Sequence, residues 1–206
     1  MNLRLRKFRP GVDTTKPFDC ADADLNGFLV ETSTGTPNAT FFAKELLAVT
    51  YVLEDTDTGR IAAYFSLLND KVDREFADPK IWNNLSRKIP NAKRRSSYPA
   101  LKIGRLAVSD DMKGQDIGTK IINYIQTRCI SNPSTGCRFI TVDAYLSAVG
   151  FYQKCDFKFL VQPEQDDETV LMFFDLKSLP RGRDWKLVGC LLVVLGTVCQ
   201  NAYRFL

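Results

Sequence analysis

The spacing of apolar residues changes several times in the first seventy positions and predicts both strands and helices. The opening alternates apolar and basic residues as LRLRKFR, which is typical of a strand with one solvated face. Helical spacing follows in FDCADADLNGFLVET, where Asp19 or Asp22 can cap the helix, and a second short helix is predicted in ATFFAKELL. Two apolar runs, LAVTYVLED and RIAAYFSLL, flank the turn residues TDTG, so an antiparallel hairpin is predicted here.

The second half of the chain combines strand-like apolar runs with one longer stretch of helical spacing. The first run is YPALKIGRLAVS, which is apolar over most of its length and therefore favours a central strand. Isoleucines recur at helical spacing from Ile117, and a short helix is predicted in YLSAVGFYQKCDF, ending near Asp156. Further strands are predicted in CRFITVDA, FKFL and TVLMFFDL. This mixture requires a sheet with helices on its faces, so the predicted class is α/β (α+β).

Residues 69–98 are more polar than the rest and are interpreted as an insertion in one domain that covers residues 1–177. A helix is predicted in PKIWNNLSRKI, and the basic run KRRSSYP follows it. About 30 residues cannot bury a core of their own, which argues against a second domain. The basic run is interpreted either as a solvated surface or as a patch for an anionic substrate.

The C-terminal tail, residues 178–206, differs from the rest because residues 187–199 are almost wholly apolar. This run is shorter than the roughly 20 residues that a transmembrane helix needs. Three interpretations remain open: a helix packed on the domain or on a second subunit, a marginal membrane anchor with positive flanks, and an extension unrelated to the fold.

Composition excludes several kinds of site. The chain of 206 residues contains no histidine, which argues against a catalytic triad that uses imidazole as its base. Its six cysteines form no CxxC pair, so no metal site is expected. No signal peptide is visible, and a cytoplasmic protein with reduced cysteines is therefore expected. The net charge of +4 is compatible with an anionic cofactor or a nucleic-acid substrate but does not require either.

A candidate phosphate-binding loop lies in AVSDDMKGQDIGTK, residues 107–120, between a predicted strand and a predicted helix. Backbone N–H groups at a helix start point outward and carry positive potential, which suits phosphate. Asp116 stands in the middle of this loop, and its carboxylate would repel a phosphate that it faced. Aspartate tolerates the left-handed backbone region, however, so the backbone path can survive. The sequence therefore predicts a weakened phosphate site.

Three segments together resemble the GNAT N-acetyltransferases: IGRLAVSDDMKGQDIGTKII, CRFITVDAYLSAVGFYQKCDFKFL and the hairpin before them. The resemblance covers roughly residues 3–177. Within that family, GRLAV and the DADLNGFL helix are most similar to a bacterial branch that includes toxin-like acetyltransferases acting on aminoacyl-tRNA. It implies a GNAT-like mixed, mostly antiparallel central sheet with helices on both faces. A splayed parallel strand pair would admit the cofactor, acetyl-CoA.

The resemblance also implies the cofactor-binding residues. The family signature is Gln or Arg, two residues, Gly, one residue, then Gly or Ala, and it falls on residues 113–118. Lys113 replaces the usual Gln or Arg, and Asp116 replaces the first signature glycine, as Asp156 replaces the glycine of the later FYxKxGF motif. The backbone of the strand would hold the thioester carbonyl, and the loop would hold the pyrophosphate. The implied residues are Leu106, Ala107 and Val108 on the strand and Lys113, Gly114, Gln115, Ile117, Gly118 and Thr119 in the loop.

Tyr152 is the implied catalytic residue, since family members place a tyrosine hydroxyl near the departing CoA sulfur. A phenol with a pKa of about 10 can protonate a thiolate without being ionised at neutral pH. The alternative is a core aromatic residue with a solvated hydroxyl. No general base is singled out: Glu54, Asp70, Asp143 or a water chain could serve, and an α-amino group with a pKa near 8 needs little help.

The expected activity is transfer of an acetyl group from acetyl-CoA to a primary amine, with aminoacyl-tRNA as one possible substrate. The alternative is a non-catalytic module that keeps the fold and binds a protein partner. A toxin-like member would also be expected to bind a small antitoxin-like protein, and a homodimer is the other expected assembly.

Overall fold

The computed structural model describes residues 2–30, 37–131, 136–164 and 166–179. The strands are β1 (Leu3–Lys7), β2 (Val49–Asp55), β3 (Ile61–Asp73), β4 (Ser97–Val108), β5 (Phe139–Tyr145), β6 (Lys158–Phe159) and β7 (Thr169–Asp175). The helices are α1 (Ala23–Leu29), α2 (Asn38–Lys44), α3 (Pro79–Arg87), α4 (Ile117–Ser131) and α5 (Val149–Lys154), and short 3-10 turns join several elements. Each strand and helix that the apolar spacing predicts is confirmed, with ends shifted by a few residues.

The seven strands form one sheet in the order β1-β2-β3-β4-β5-β7-β6. β1 runs antiparallel to β2, and β7 runs antiparallel to both β5 and β6. β4 and β5 form a parallel ladder from Ala100 opposite Phe139 to Ile103 opposite Val142. The predicted mixed, mostly antiparallel sheet with one parallel pair is therefore confirmed. The parallel ladder ends at Ile103, although β4 itself continues to Val108.

One compact unit comprises the described residues within 1–66 and 105–124. Its core centres on Tyr64, which stacks on Phe28 with ring centroids 5.8 Å apart and contacts Phe18 edge-on. The Tyr64 hydroxyl donates a hydrogen bond to the Leu25 carbonyl at 2.7 Å, which ties α1 to the core. Of the two predicted capping residues for α1, the structure selects Asp22, whose side chain accepts from the Leu25 N–H.

Buried charges fix the N-terminal loop of this unit. Arg6 donates two hydrogen bonds to the Asp13 carboxylate, at 2.6 and 2.7 Å, and two more to Glu54. Arg4 and Lys16 also pair with Glu54. Because a buried carboxylate is stable only when its charge is compensated, these cations allow Asp13 and Glu54 to lie almost wholly out of solvent.

The other unit comprises the described residues within 67–104 and 125–179. Its core joins α3, through Trp82 and Leu85, to Tyr98, Phe139 and Phe173 of the sheet. Asp78 caps α3, with Pro79 in the first turn, where a proline ring costs no hydrogen bond. Residues 69–98, which the sequence interprets as an insertion, thus begin inside β3 and end inside β4.

The predicted apolar tail at 187–199 lies outside the described residues. Among the helices that the structure does describe, none is long and apolar enough to cross a bilayer.

Candidate functional site

The turn between β4 and α4 forms the candidate phosphate-binding site. A 3-10 turn over Asp110–Met112 follows the strand, and two residues with left-handed backbone come next: Gly114 at φ +78° and Asp116 at φ +57°. The Asp116 carbonyl accepts the Lys120 N–H at 2.9 Å, which begins the hydrogen-bond ladder of α4. The predicted tolerance of aspartate for the glycine-type backbone is confirmed at this residue. First-turn N–H groups of a helix have no partners within the helix, so this loop can accept an anion.

Charged side chains of both signs surround the loop. Asp116 is exposed, as are Gly114 and Gln115, whereas Ile117 and Gly118 are buried under the loop. The Lys113 ammonium lies 2.7 Å from the Asp110 carboxylate, which raises the pKa of Lys113. The Lys120 ammonium lies 3.4 Å from the Gln115 carbonyl. Two cations therefore stand at the loop that contains the Asp116 carboxylate.

The loop is anchored by backbone groups that sequence patterns cannot reveal. The Ser109 N–H donates to the Ala62 carbonyl at 2.8 Å, and the Asp110 N–H donates to the Asp19 carbonyl at 2.8 Å. Lys113 also donates to the Cys20 carbonyl at 2.9 Å. The Asp19 and Cys20 carbonyls lie about 90 residues earlier in the chain than Asp110 and Lys113, which donate to them. Every residue type has a carbonyl, so no sequence signal marks these anchors.

The strand residues implied as thioester contacts, Leu106, Ala107 and Val108, form the end of β4, beyond the last residue of its ladder with β5. Ala107 is buried in the core cluster that contains Phe28 and Tyr64. The structure thus brings these three residues and the loop residues 113–119 together in the first unit. Tyr152 belongs to the second unit.

Tyr152 lies in α5 and is buried, with 6% of its surface exposed. Burial raises the pKa of Tyr152, and the nearby Cys155 adds to the effect, so the phenol stays protonated at neutral pH. Its ring contacts Phe151 and Phe157 edge-on, at centroid distances of 5.0 and 5.4 Å. Within the described residues, its hydroxyl makes no hydrogen bond with the protein. A protonated phenol with no hydrogen-bond partner among the described residues can serve as a proton donor.

A left-handed cap at Asp156, with φ +65°, ends α5. The Asp156 N–H donates to the Gln153 carbonyl, and the Phe157 N–H donates to the Tyr152 carbonyl, each at 3.0 Å. These two bonds satisfy carbonyls at the helix end, and the contact between Phe157 and Tyr152 completes the cap. The Tyr152 carbonyl is thereby held by the N–H of Phe157, the residue that follows the left-handed Asp156.

The structure narrows the candidates for a general base. Hydrogen bonds from Arg6, opposed by burial and assisted by Lys16 and Arg4, hold the pKa of Glu54 well below its ordinary range. With three cations on its oxygens, Glu54 is not suited to accept a proton near neutral pH. Asp70 accepts a hydrogen bond from the Thr141 hydroxyl, and Asp143 forms an ion pair with Lys102. The geometry singles out neither of these as a base.

Cys20, Cys129, Cys137 and Cys155 are free thiols. In the described part of the chain, no group of three Cys, Asp or Glu side chains is placed to hold a metal ion.

Comparison with known proteins gives one family and several structural relatives. Residues 91–174 match the family model described as an acetyltransferase (GNAT) domain. A mutant of KacT has 22% identity and a TM-score of 0.66, with 86% of this chain and 97% of that one covered. AtaT complexed with acetyl-methionyl-tRNAfMet has 23% identity and a TM-score of 0.62, with 86% and 96% covered. A mutant AtaT toxin bound to the C-terminus of the antitoxin AtaR and acetyl-CoA has 18% identity and a TM-score of 0.56, with 93% and 99% covered. At these identities the likeness shows a common fold.

Proposed function

We propose that the protein transfers the acetyl group of acetyl-CoA to the α-amino group of an aminoacyl-tRNA, because residues 91–174 match the family model described as an acetyltransferase (GNAT) domain. The observation that carries the proposal is the loop between β4 and α4. Its left-handed residues, Gly114 and Asp116, turn the chain so that α4 begins with first-turn N–H groups available for pyrophosphate. The structural similarity to AtaT with bound acetyl-methionyl-tRNAfMet supports the choice of acceptor.

In this proposal the end of β4 and the loop bind the two halves of the cofactor. Backbone N–H groups of Leu106, Ala107 or Val108 hold the thioester carbonyl oxygen and stabilise the negative charge that develops on it. Residues 113–119 hold the pyrophosphate. Asp116 weakens this binding, and Lys113 and Lys120 offset part of its charge.

The reaction is one acyl transfer. The neutral amine nitrogen attacks the acetyl carbonyl carbon and forms the C–N bond, and the C–S bond then breaks. Tyr152 donates its proton to the departing CoA sulfur, the amine proton passes to solvent, and solvent returns a proton to the Tyr152 phenolate. Since an α-amino group has a pKa near 8, a usable fraction is neutral without a dedicated base.

The test uses labelled acetyl-CoA and three acceptors: a pool of tRNA charged with all amino acids, the free amino acids, and peptides with free N-termini. We expect label only on charged tRNA. Labelling of peptides instead would replace the proposed acceptor. Micromolar acetyl-CoA binding without transfer to any of the three would contradict the proposed activity.

A non-catalytic, partner-binding role is the second candidate, and the carboxylate of Asp116 in the phosphate loop is the observation that favours it. A calorimetric titration with acetyl-CoA distinguishes the two roles, because a partner-binding module has no need of the cofactor. For the enzyme we further propose a bacterial, cytoplasmic setting and a small antitoxin-like partner, which the AtaT–AtaR structure supports. A homodimer is the other proposed assembly.

A further inference from the structure

Arg105 lies next to the proposed acyl-transfer segment, Leu106–Val108, and is therefore a candidate for contact with the acceptor. It is the residue of β4 immediately before Leu106, Ala107 and Val108, the proposed thioester contacts. Its guanidinium lies over the Phe28 ring, 5.6 Å from the centroid, and its Nη2 lies 3.4 Å from the Asp24 carboxylate. The first turn of α1 thus holds a cation beside the segment where the reaction is proposed to occur.

The ion pair between Arg105 and Asp24 lies at the surface. The two side chains are 40% and 55% exposed, and exposed pairs contribute little to stability. A guanidinium carries five N–H donors in a rigid fork. Such a fork matches phosphate oxygens in a way that an ammonium does not.

The geometry fixes which side of the strand the guanidinium lies on. Side chains two residues apart on a strand point to the same face, so Arg105 shares the face of Ala107. Ala107 packs in the core cluster with Phe28, the ring that Arg105 also contacts. Two strand residues span about 7 Å, and an attacking amine must come within about 3.5 Å of the acetyl carbon. An anion of the acceptor near the amine therefore falls within the reach of a long side chain.

We propose that Arg105, oriented by Asp24 and Phe28, binds the phosphate of the 3′-terminal nucleotide of the acceptor and so positions the amine. This inference rests on the proposed function, because that phosphate is the nearest anion to the amine of an aminoacyl-tRNA. The cofactor pyrophosphate is assigned to residues 113–119 and is a separate anion.

The test compares two acceptors for which only one carries the phosphate: charged tRNA, and the aminoacyl-adenosine that ribonuclease releases from its 3′ end. We expect Arg105→Gln to raise KM for charged tRNA about tenfold, to change KM for the fragment less than twofold, and to leave kcat within about threefold. The slope of log KM against log salt should fall by about 0.7–1 for charged tRNA. Arg105→Lys keeps the charge and should recover part of the loss.

A matched control is Arg60→Gln. Arg60 pairs with Asp111 at 3.2 Å, and the two side chains are 49% and 48% exposed, so its ion pair resembles that of Arg105. We expect this variant to change KM for charged tRNA less than twofold. Thermal unfolding of each variant checks that the fold is kept.

The outcomes separate the two proposals. Equal KM changes for both acceptors, or no change for either, would overturn the role of Arg105 while the acetylation of charged tRNA stands. A weaker acetyl-CoA affinity in Arg105→Gln would reassign the guanidinium to the cofactor. Failure of the wild-type protein to acetylate charged tRNA would overturn the proposed function, and with it the role of Arg105.

Discussion

Asp116 and Asp156 both adopt left-handed backbone, at φ +57° and +65°. Both stand where the GNAT signature motifs have glycine, but they lie at opposite ends of their helices. Asp116 precedes α4, and its carbonyl accepts the Lys120 N–H, the first hydrogen bond of that helix. Asp156 follows α5 and completes a cap that satisfies carbonyls at the helix end. The first aspartate therefore lies at the positive end of a helix dipole, and the second at the negative end.

A difference between glycine and aspartate changes two properties at once: the backbone conformations that the residue tolerates and its charge. The backbone requirement is met equally at both sites, because a short polar side chain tolerates the left-handed region. The charge has different consequences: at Asp116 it stands in the proposed pyrophosphate site, whereas at Asp156 it is exposed and borders the helix that carries Tyr152. We infer that Asp116 affects the affinity for the proposed cofactor and that Asp156 affects the placement of the Tyr152 hydroxyl, the proposed proton donor.

The largest effect is expected from Tyr152→Phe. This variant tests whether Tyr152 contributes to the rate of acetyl transfer without contributing to acetyl-CoA binding. Loss of the proton donor should lower kcat by about 10²-fold or more, with the acetyl-CoA affinity unchanged. The fold should persist, since the hydroxyl has no partner among the described residues. Steady-state kinetics and a cofactor titration measure both quantities, and a kcat within threefold of wild type would make Tyr152 a core residue only.

The pH profile sharpens this prediction. Burial raises the pKa of Tyr152 above its ordinary value near 10, so the protonated form persists as the pH rises from 7 to 10. The rate should therefore rise as the acceptor amine loses its proton near pH 8 and then stay level to pH 10. A decline between pH 8 and 9 that Tyr152→Phe abolishes would show an ionised phenol and contradict the buried, protonated state.

The next effect is expected at the phosphate loop. Asp116→Asn removes the charge and keeps the tolerance for left-handed backbone, so it should tighten acetyl-CoA binding about tenfold at low salt, with a smaller gain at high salt. Asp116→Gly should give a similar gain. Calorimetry measures the dissociation constants.

Asp156→Asn is the matched control for the loop, since it makes the same change at the other left-handed aspartate. We expect its acetyl-CoA affinity to stay within twofold of wild type. Equal gains from both Asn variants would mean that net charge, and not the position of Asp116, sets the affinity.

The smallest effects are expected on stability at Asp156. Glycine removes the steric cost of the left-handed region but adds entropy to the unfolded chain, so Asp156→Gly should stabilise the protein by at most about 1 kcal/mol. Asp156→Ala keeps that cost without a polar side chain and should destabilise by about 1 kcal/mol. Urea unfolding measures both, and a more stable Ala variant would contradict the strained cap.

Local patterns predicted most of the fold because the periods of apolar residues reflect backbone geometry directly. The isoleucine spacing from Ile117 predicted α4, which begins at that residue, and TDTG predicted the turn between β2 and β3. The end of the β4–β5 ladder at Ile103 carries no such signal, because it depends on pairing between strands about 40 residues apart in the chain.

The site was predicted less completely than the fold. Motif spacing proposed Gly114 and Tyr152 as site residues, but the position of Arg105 has no local signal, since its partners Asp24 and Phe28 lie about 80 residues earlier. No sequence pattern showed that Glu54 is unsuited to act as a base. As a sequence feature it is one carboxylate among several, and only Arg4, Arg6 and Lys16, brought to it from the N-terminal segment, exclude it as a base.

By itself, the sequence determined where the helices and strands form and which residues, Asp116 and Asp156 among them, can replace glycine in a left-handed turn. These are properties of single residues and their close neighbours. Only the tertiary structure decided which carboxylates are neutralised, which of Asp19 and Asp22 caps α1, and which ring and carboxylate the Arg105 guanidinium contacts. Those outcomes depend on charges and carbonyls that meet across tens of residues, and electrostatic energy is set by distance in space and burial, not by distance along the chain.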